Sequence, residues 1–204
     1  MHPADWSVRP GTLVDVPGVV RLAMDDALGA DAVVDEGALR LLLTHVVLEQ
    51  GRLWVAERGC RLVGASIWLP ASAEHLANDL RRIAARELGG ARTEALTPDK
   101  DVDDQLQLLL PDVLRLVERS APRLVLLNVA IAPGLSAGRR ERLVTDLVRA
   151  MQDEPIEGRL LAVSFDPDHV RVLVRAGFET LGGVPVGNHS LWIGHAGSPR
   201  LWIA

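Results

Sequence analysis

The spacing of hydrophobic and polar positions changes period several times along the chain, and each change marks an element. Trp6 to Arg9 alternates apolar and polar residues and predicts a short first strand. Asp15 stands where an N-cap belongs, with Pro17 just inside the helix that follows. Val16, Val19, Val20, Ala23, Met24 and Ala27 give that helix an apolar face, which runs up to Gly29. A second helix is predicted from about Asp35 to Glu49, with Leu39, Leu42, Leu43, Val46 and Val47 at helical spacing. Leu53 to Glu57 and Arg61 to Leu69 read as two strands around the turn Arg58-Gly59-Cys60, with Trp54 and Trp68 as packing residues and Pro70 as the stop.

A helical pattern then covers Ser72 to Leu88 and stops at Gly89-Gly90. After a polar stretch, a further helix is predicted over roughly Asp103 to Arg119, bent or divided at Pro111. The block from about 72 to 120 therefore reads as a helical insertion within one domain spanning 1–204. The strongest apolar run, from Arg123, breaks at Pro133-Gly134 and resumes as a helix carrying Arg139, Arg140 and Arg142. Arg159 to Phe165 is another apolar strand, Pro167 to Ala176 a short helix, and Gly177-Phe178 opens a closing hairpin whose second strand is Leu191 to Ile193. This order predicts an α+β fold, a mixed sheet flanked by helices.

Composition narrows the class of protein. A length of 204 residues suits one domain with a sizeable core. A net charge of -5 leaves no electrostatic footprint for nucleic acid or an anionic membrane surface. No apolar run approaches the roughly 20 residues of a membrane-spanning helix. The opening MHPADWSVRP has neither the basic region nor the apolar core of an export signal. Cys60 is the sole cysteine, so no internal disulfide forms and a reducing cytoplasm is the expected compartment. The histidines are scattered and no close ligand pair recurs, so no metal is expected. Ser, His and Asp occur without a G-x-S-x-G elbow, which leaves a hydrolase triad unsupported.

The candidate chemistry sits after the strongest strand. A buried strand feeding a Gly-rich turn and a helix N-terminus presents backbone N–H groups and the positive end of a helix dipole, an arrangement that holds a phosphate. Here the cradle would run from Gly134 through Ser136, Ala137, Gly138, Arg139 and Arg140; the plainer reading is a tight turn capped by Ser136 with solvated arginines.

Several segments in order resemble the GNAT superfamily of N-acetyltransferases, most of all its puromycin N-acetyltransferase-like branch. They are VRPGTLVDVPGVV, GRLWVAERGCRLVGASIWLP, the insertion from Ser72, LLNVAIAP and VRAGFETLG. The resemblance spans nearly the whole chain. It implies a twisted, mostly antiparallel sheet with a splay between the fourth and fifth strands. Acetyl-CoA or a related acyl-CoA would lie in that splay, its pantetheine arm on backbone groups of Val129, Ala130 and Ile131 and its pyrophosphate on the turn after Pro133. The amine of a small molecule would attack the thioester directly, in a pocket built by the first two helices, the insertion and the closing hairpin.

Four positions depart from the family pattern. The turn Ser136-Ala137-Gly138-Arg139-Arg140 is one residue short, with Arg140 where a second glycine is expected; that arginine either obstructs a pyrophosphate or pairs with it bidentately. Leu173 stands at the position of the frequent thiolate-protonating tyrosine, and the chain has no tyrosine. Val163 replaces a glutamate of that branch, and His169 an asparagine. Candidates for the remaining chemistry are Asn128 as a hydrogen-bonding group for a substrate amide, and His169 or Glu49 as the base. Each has a plainer reading: a cross-strand contact for Asn128, a surface histidine beside Asp166 for His169, a solvated i,i+4 pair with His45 for Glu49. Ser164 reads as an ordinary strand serine. The alternative functions are a GNAT-fold ligand-binding or scaffolding protein without transfer activity, or a transferase drawing on an acyl carrier protein or aminoacyl-tRNA. Arg81, Arg82 and Arg86 are the basic face that tRNA would need. The apolar tail Leu201-Trp202-Ile203 offers an edge to a second copy in a homodimer.

Overall fold

The computed structural model describes residues 5–27, 36–71, 111, 113, 115, 122–156, 158–186 and 189–197. The expected insertion, with Arg81, Arg82 and Arg86, lies almost wholly outside the described residues, and so does the tail Leu201-Trp202-Ile203. The elements, in chain order, are β1 (Ser7–Pro10), a 3-10 turn (Leu13–Asp15), α1 (Val16–Ala27), α2 (Glu36–Leu42), β2 (Arg52–Arg58), β3 (Arg61–Pro70) and β4 (Pro122–Ile131). They are followed by α3 (Ala137–Gln152), β5 (Arg159–Ser164), α4 (Pro167–Arg175), β6 (Glu179–Val186) and β7 (His189–Gly197).

Among the described residues, seven strands join one sheet in the order β1-β2-β3-β4-β5-β7-β6. Every neighbouring pair is antiparallel except β4 and β5. The mixed, mostly antiparallel sheet is therefore as expected, and the predicted strands and helices that fall on described residues mostly shift by a residue or two at their ends. The closing strands are longer than predicted, because β7 continues past Ile193 to Gly197.

The helices cover the two faces of the sheet. On one face, Leu143, Val144, Leu147, Val148 and Met151 of α3 pack with Trp68, Leu126, Val129 and Ile131. That spacing is one stripe of a helix. Gly64 lets α3 come close, since a Cβ there would stand 3.1 Å from both Leu143 and Leu147. On the other face, Val16, Val19 and Val20 of α1 pack with Leu43, Val47, Val55, Ala65 and Ile67. The second helix does not run unbroken to Glu49. It passes at Leu43–Val47 into a π turn, closed by the Leu48 N–H on the Leu43 carbonyl at 3.1 Å, which swings both Leu43 and Val47 into the core.

Asp15 is not the N-cap of α1. Its carboxylate accepts Arg9 Nη1 and Nη2, each at 2.8 Å, and the N–H and hydroxyl of Thr12 at 2.8 and 2.9 Å. Thr12 is the N-cap of the 3-10 turn that leads into α1, and Asp15, at its third position, reaches back to the Thr12 N–H while also holding the Arg9 guanidinium bidentately.

Candidate functional site

The parallel ladder of β4 on β5 runs from Pro122↔Arg159 to Leu126↔Ala162 and stops there. Both strands go on, β4 to Ile131 and β5 to Ser164, the latter still paired to β7. The cause lies in β4. Where β3 passes from Ile67 to Trp68, β4 passes from Asn128 to Leu126, so Leu127 is an inserted residue. Such a bulge bends its strand and strengthens the local twist. The sheet thus parts into a cleft whose closed end is the Leu126/Ala162 pair.

Backbone alternation decides which groups face the cleft. The Ala132 N–H donates to the Val63 carbonyl at 2.9 Å, so Ala132 and, two residues back, Ala130 turn their backbone groups toward β3. Val129 and Ile131 turn theirs toward the cleft. Among the three residues expected to line it with backbone groups, Ala130 is the odd one out. Asn128 stands opposite Ile67, and is half-buried on the α1/α2 face of the sheet.

Because β4 and β5 are parallel, the helices after them both begin at the open mouth of the cleft. Their N-termini differ. At α4, Asp166 accepts the Asp168 N–H at 2.8 Å, Pro167 has no N–H, and Asp168 adds a second carboxylate to the first turn. At α3, the first turn carries no acid and Ser136 makes no side-chain cap. The first intrahelical bond is from the Arg140 N–H to the Ser136 carbonyl at 2.9 Å, which leaves the earlier N–H groups for another acceptor. Gly134 holds φ at +85°, and a Cβ built on Gly134 or Gly138 meets nothing within 4 Å. The mouth of the cleft therefore has one helix end already neutralised and one open to an anion. Arg139 is drawn to Asp5 at 3.3 Å, and Arg140 is exposed.

The other candidates are scattered around the cleft. His169, in the first turn of α4, lies at the mouth. Glu49 is exposed in the turn after α2, and that turn lies toward the closed end: a Cβ on Gly51 would meet the Trp68 carbonyl, and Trp68 pairs with Leu126. Ser164 is taken up by Asp166, whose N–H it accepts at 3.0 Å. Leu173 has a structural duty. Helix α4 ends in a Schellman turn, with the Phe178 N–H on the Leu173 carbonyl at 3.1 Å and the Gly177 N–H on Val174 at 3.0 Å, Gly177 being at φ +100°. The first and last residues of that turn make its hydrophobic contact, and Leu173 and Phe178 are both buried.

One residue near the cleft escaped the sequence reading. His195 on β7 stands opposite Leu161 on β5, which stands opposite Val125 on β4, one row below the closed end. Its Nε2 is 3.9 Å from the Glu179 carboxylate, while its Nδ1 is buried without a hydrogen-bond partner. A final strand read only to Ile193 stops short of it. Among the described residues, no three His, Cys, Asp or Glu side chains gather as a metal site.

No protein-family model and no curated protein matches the sequence. Solved structures do match the fold. An agmatine N-acetyltransferase, solved as a point mutant in its apo form, superposes with a TM-score of 0.61 at 16% identity, covering 94% of this chain and 98% of its own. A polyamine N-acetyltransferase from Drosophila melanogaster, which forms N-acetylagmatine, gives 0.57 at 14% identity, with 95% and 100% covered. The protein yncA of Salmonella typhimurium, solved with its cofactor acetyl-CoA, gives 0.55 at 12% identity, with 98% and 97% covered. With its central parallel pair parted over a bulge and a helix N-terminus open at the mouth, the chain has the fold of the GNAT N-acetyltransferases.

Proposed function

We propose that this protein is an N-acyltransferase that moves an acyl group from a CoA thioester, acetyl-CoA first among them, to a primary amine of a small molecule. The observation that carries the reading is the asymmetry at the mouth of the cleft. Two helices begin there, and only α3 presents unclaimed N–H groups to an anion, next to glycines with open space before them. Those groups suit a pyrophosphate, held by backbone from Gly134 through Ser136, Ala137 and Gly138, with Arg139 and Arg140 adding positive charge. The backbone groups of Val129 and Ile131 suit an extended pantetheine arm, which would then run inward toward Leu126.

Catalysis on this reading comes mainly from holding amine and thioester together, with strand N–H groups polarising the carbonyl. Asn128, on the α1/α2 face, would hydrogen-bond the acceptor; of the two bases the sequence suggests, His169 lies at the mouth and Glu49 in the turn after α2. Calorimetric titration with acetyl-CoA tests the donor, and a panel of primary amines including agmatine and polyamines tests the acceptor. Tight, saturable donor binding followed by amine-dependent release of CoA thiol is the expected result. No heat and no thermal shift at saturating donor would refute it.

One observation favours a second reading, a GNAT-fold ligand-binding protein without transfer. Leu173, at the position of the family's thiolate-protonating tyrosine, is buried in the Schellman turn with Phe178, so that position delivers no acid to the cleft. Donor binding without turnover of any amine in the panel selects that reading.

A further inference from the structure

We infer that His195 is the base that takes the proton from the acceptor's ammonium, with Glu179 holding the imidazole in the right tautomer. The inference rests on the acyltransfer reading and adds a residue to it. Three observations place His195 there.

The first is position. If the anionic end of the donor sits at the mouth of the cleft, the reacting carbonyl belongs toward the closed end, at Leu126 and Ala162. His169 is at the other end. His195 is one row from the closed end and one strand beyond β5, a lateral step of about 4.8 Å. The turn bearing Glu49 lies on the far side of β3 and β4.

The second is the face. Cross-strand partners share a face, so His195 lies with Leu161 and Val125 on the side opposite α3. Val125 pairs with Leu69, which packs in the α1/α2 core, so the ring is on the side that Asn128 also faces. On the α3 side the same rows are filled: the indole of Trp192 lies where a Cβ of Gly194 would be, held by its Nε1 on Thr180 Oγ1 at 2.9 Å.

The third is the ring itself. Glu179 stands beside Nε2 at 3.9 Å and favours a proton there. That leaves Nδ1 as the basic nitrogen, and among the described residues it is one of two buried ring nitrogens without a hydrogen-bond partner, the other being Trp54 Nε1 on β2. Buried polar atoms are almost always satisfied, so a lone one marks a place that a ligand or water completes. A histidine with a carboxylate beside one nitrogen and the other left unpartnered is equipped for general-base catalysis once substrate reaches it.

The proton account closes. Nδ1 accepts one proton from the acceptor's ammonium, and the freed lone pair forms the C–N bond to the acyl carbon. The C–S bond breaks, and the nitrogen's second departing proton ends on the thiol sulfur. The imidazolium then gives its proton to water, restoring the neutral ring.

The test uses the full chain as wild type, His195→Ala and His195→Gln. Acetyl-CoA affinity is measured by calorimetry, and kcat and KM with whichever amine of the panel the wild type acetylates. The expected result is an unchanged donor affinity, a fall in kcat of about 10²–10⁴-fold in both variants, and partial recovery of the alanine variant alone on adding free imidazole. A kcat within about threefold of wild type, or a fall that imidazole does not relieve, overturns the assignment. Nitrogen-15 NMR of the neutral ring gives a readout independent of turnover: a proton on Nε2 is expected, and a proton on Nδ1 overturns it. If the wild type fails to bind acetyl-CoA, the acyltransfer reading falls, and the NMR result still decides whether Nδ1 is the free base.

Discussion

Arg9 and Thr12 together hold Asp15 so firmly that the carboxyl is pulled down to about 2, chiefly by the hydrogen bonds from Arg9. Unfolded, the same group titrates near 3.9. The folded form thus gains stability that is complete above the unfolded value and disappears as pH drops from about 4 through about 2. Allowing for solvent around Arg9, the gain is about 2 kcal/mol. Denaturant titrations at neutral and acid pH should show this slope, and Asp15→Asn should remove it while lowering neutral-pH stability. Gly138 invites a different experiment. It sits in the first turn of α3 with nothing near its missing Cβ, so Gly138→Ala should raise stability by about 0.5 kcal/mol through helix propensity. The same methyl group would stand before the anion cradle and should weaken acetyl-CoA binding. A melting curve and a donor titration moving in opposite directions would tie the glycine to ligand; movement in the same direction would argue against the cradle. Single residues were where sequence reading was weakest. Asp15 beside Pro17 has the look of a cap, and only the approach of Arg9 from a separate strand reveals its real partner. Leu173 reads as a missing tyrosine until the hydrogen bonds of the Schellman turn explain why an apolar residue belongs there.

At the scale of elements, helix α3 links packing to chemistry. Its buried stripe fixes the helix on β3 and β4, and its N-terminus is the proposed anion cradle. Leu147 is fully buried and meets the sheet at Gly64. Leu147→Ala should cost about 2–5 kcal/mol, measured by chemical denaturation, and a loss below about 1 kcal/mol would mean the helix relaxes onto the sheet. Element types and order were readable from the sequence because their periods differ clearly, as in the stripe Leu143, Leu147, Met151 against the unbroken apolar run of β4. The ends were less so. The π turn at Leu43–Val47 keeps a helical spacing of leucines and valines, so nothing in the pattern announces it. Likewise, β7 continues through Gly194 and His195, two residues that carry no strand signal of their own.

The whole molecule is a sheet of two unequal parts, β1 to β4 and β5 with β7 and β6, joined by one short parallel ladder. The resemblance of ordered motifs led to this topology. The place where the sheet parts depends on a bulge, which is a matter of register between strands distant in sequence and leaves no mark on either alone. The parting also has a consequence for exchange with solvent. A central strand normally shields all its amides, yet in β4 the protection should alternate. In heavy water, Ala130 and Ala132, facing β3, should keep their protons long after Val129 and Ile131 have lost theirs. Saturating acetyl-CoA should slow the fast pair and leave the slow pair as it was. Residue-resolved exchange measured with and without the donor would record that even-odd rhythm, and its absence would mean the cleft is closed when empty.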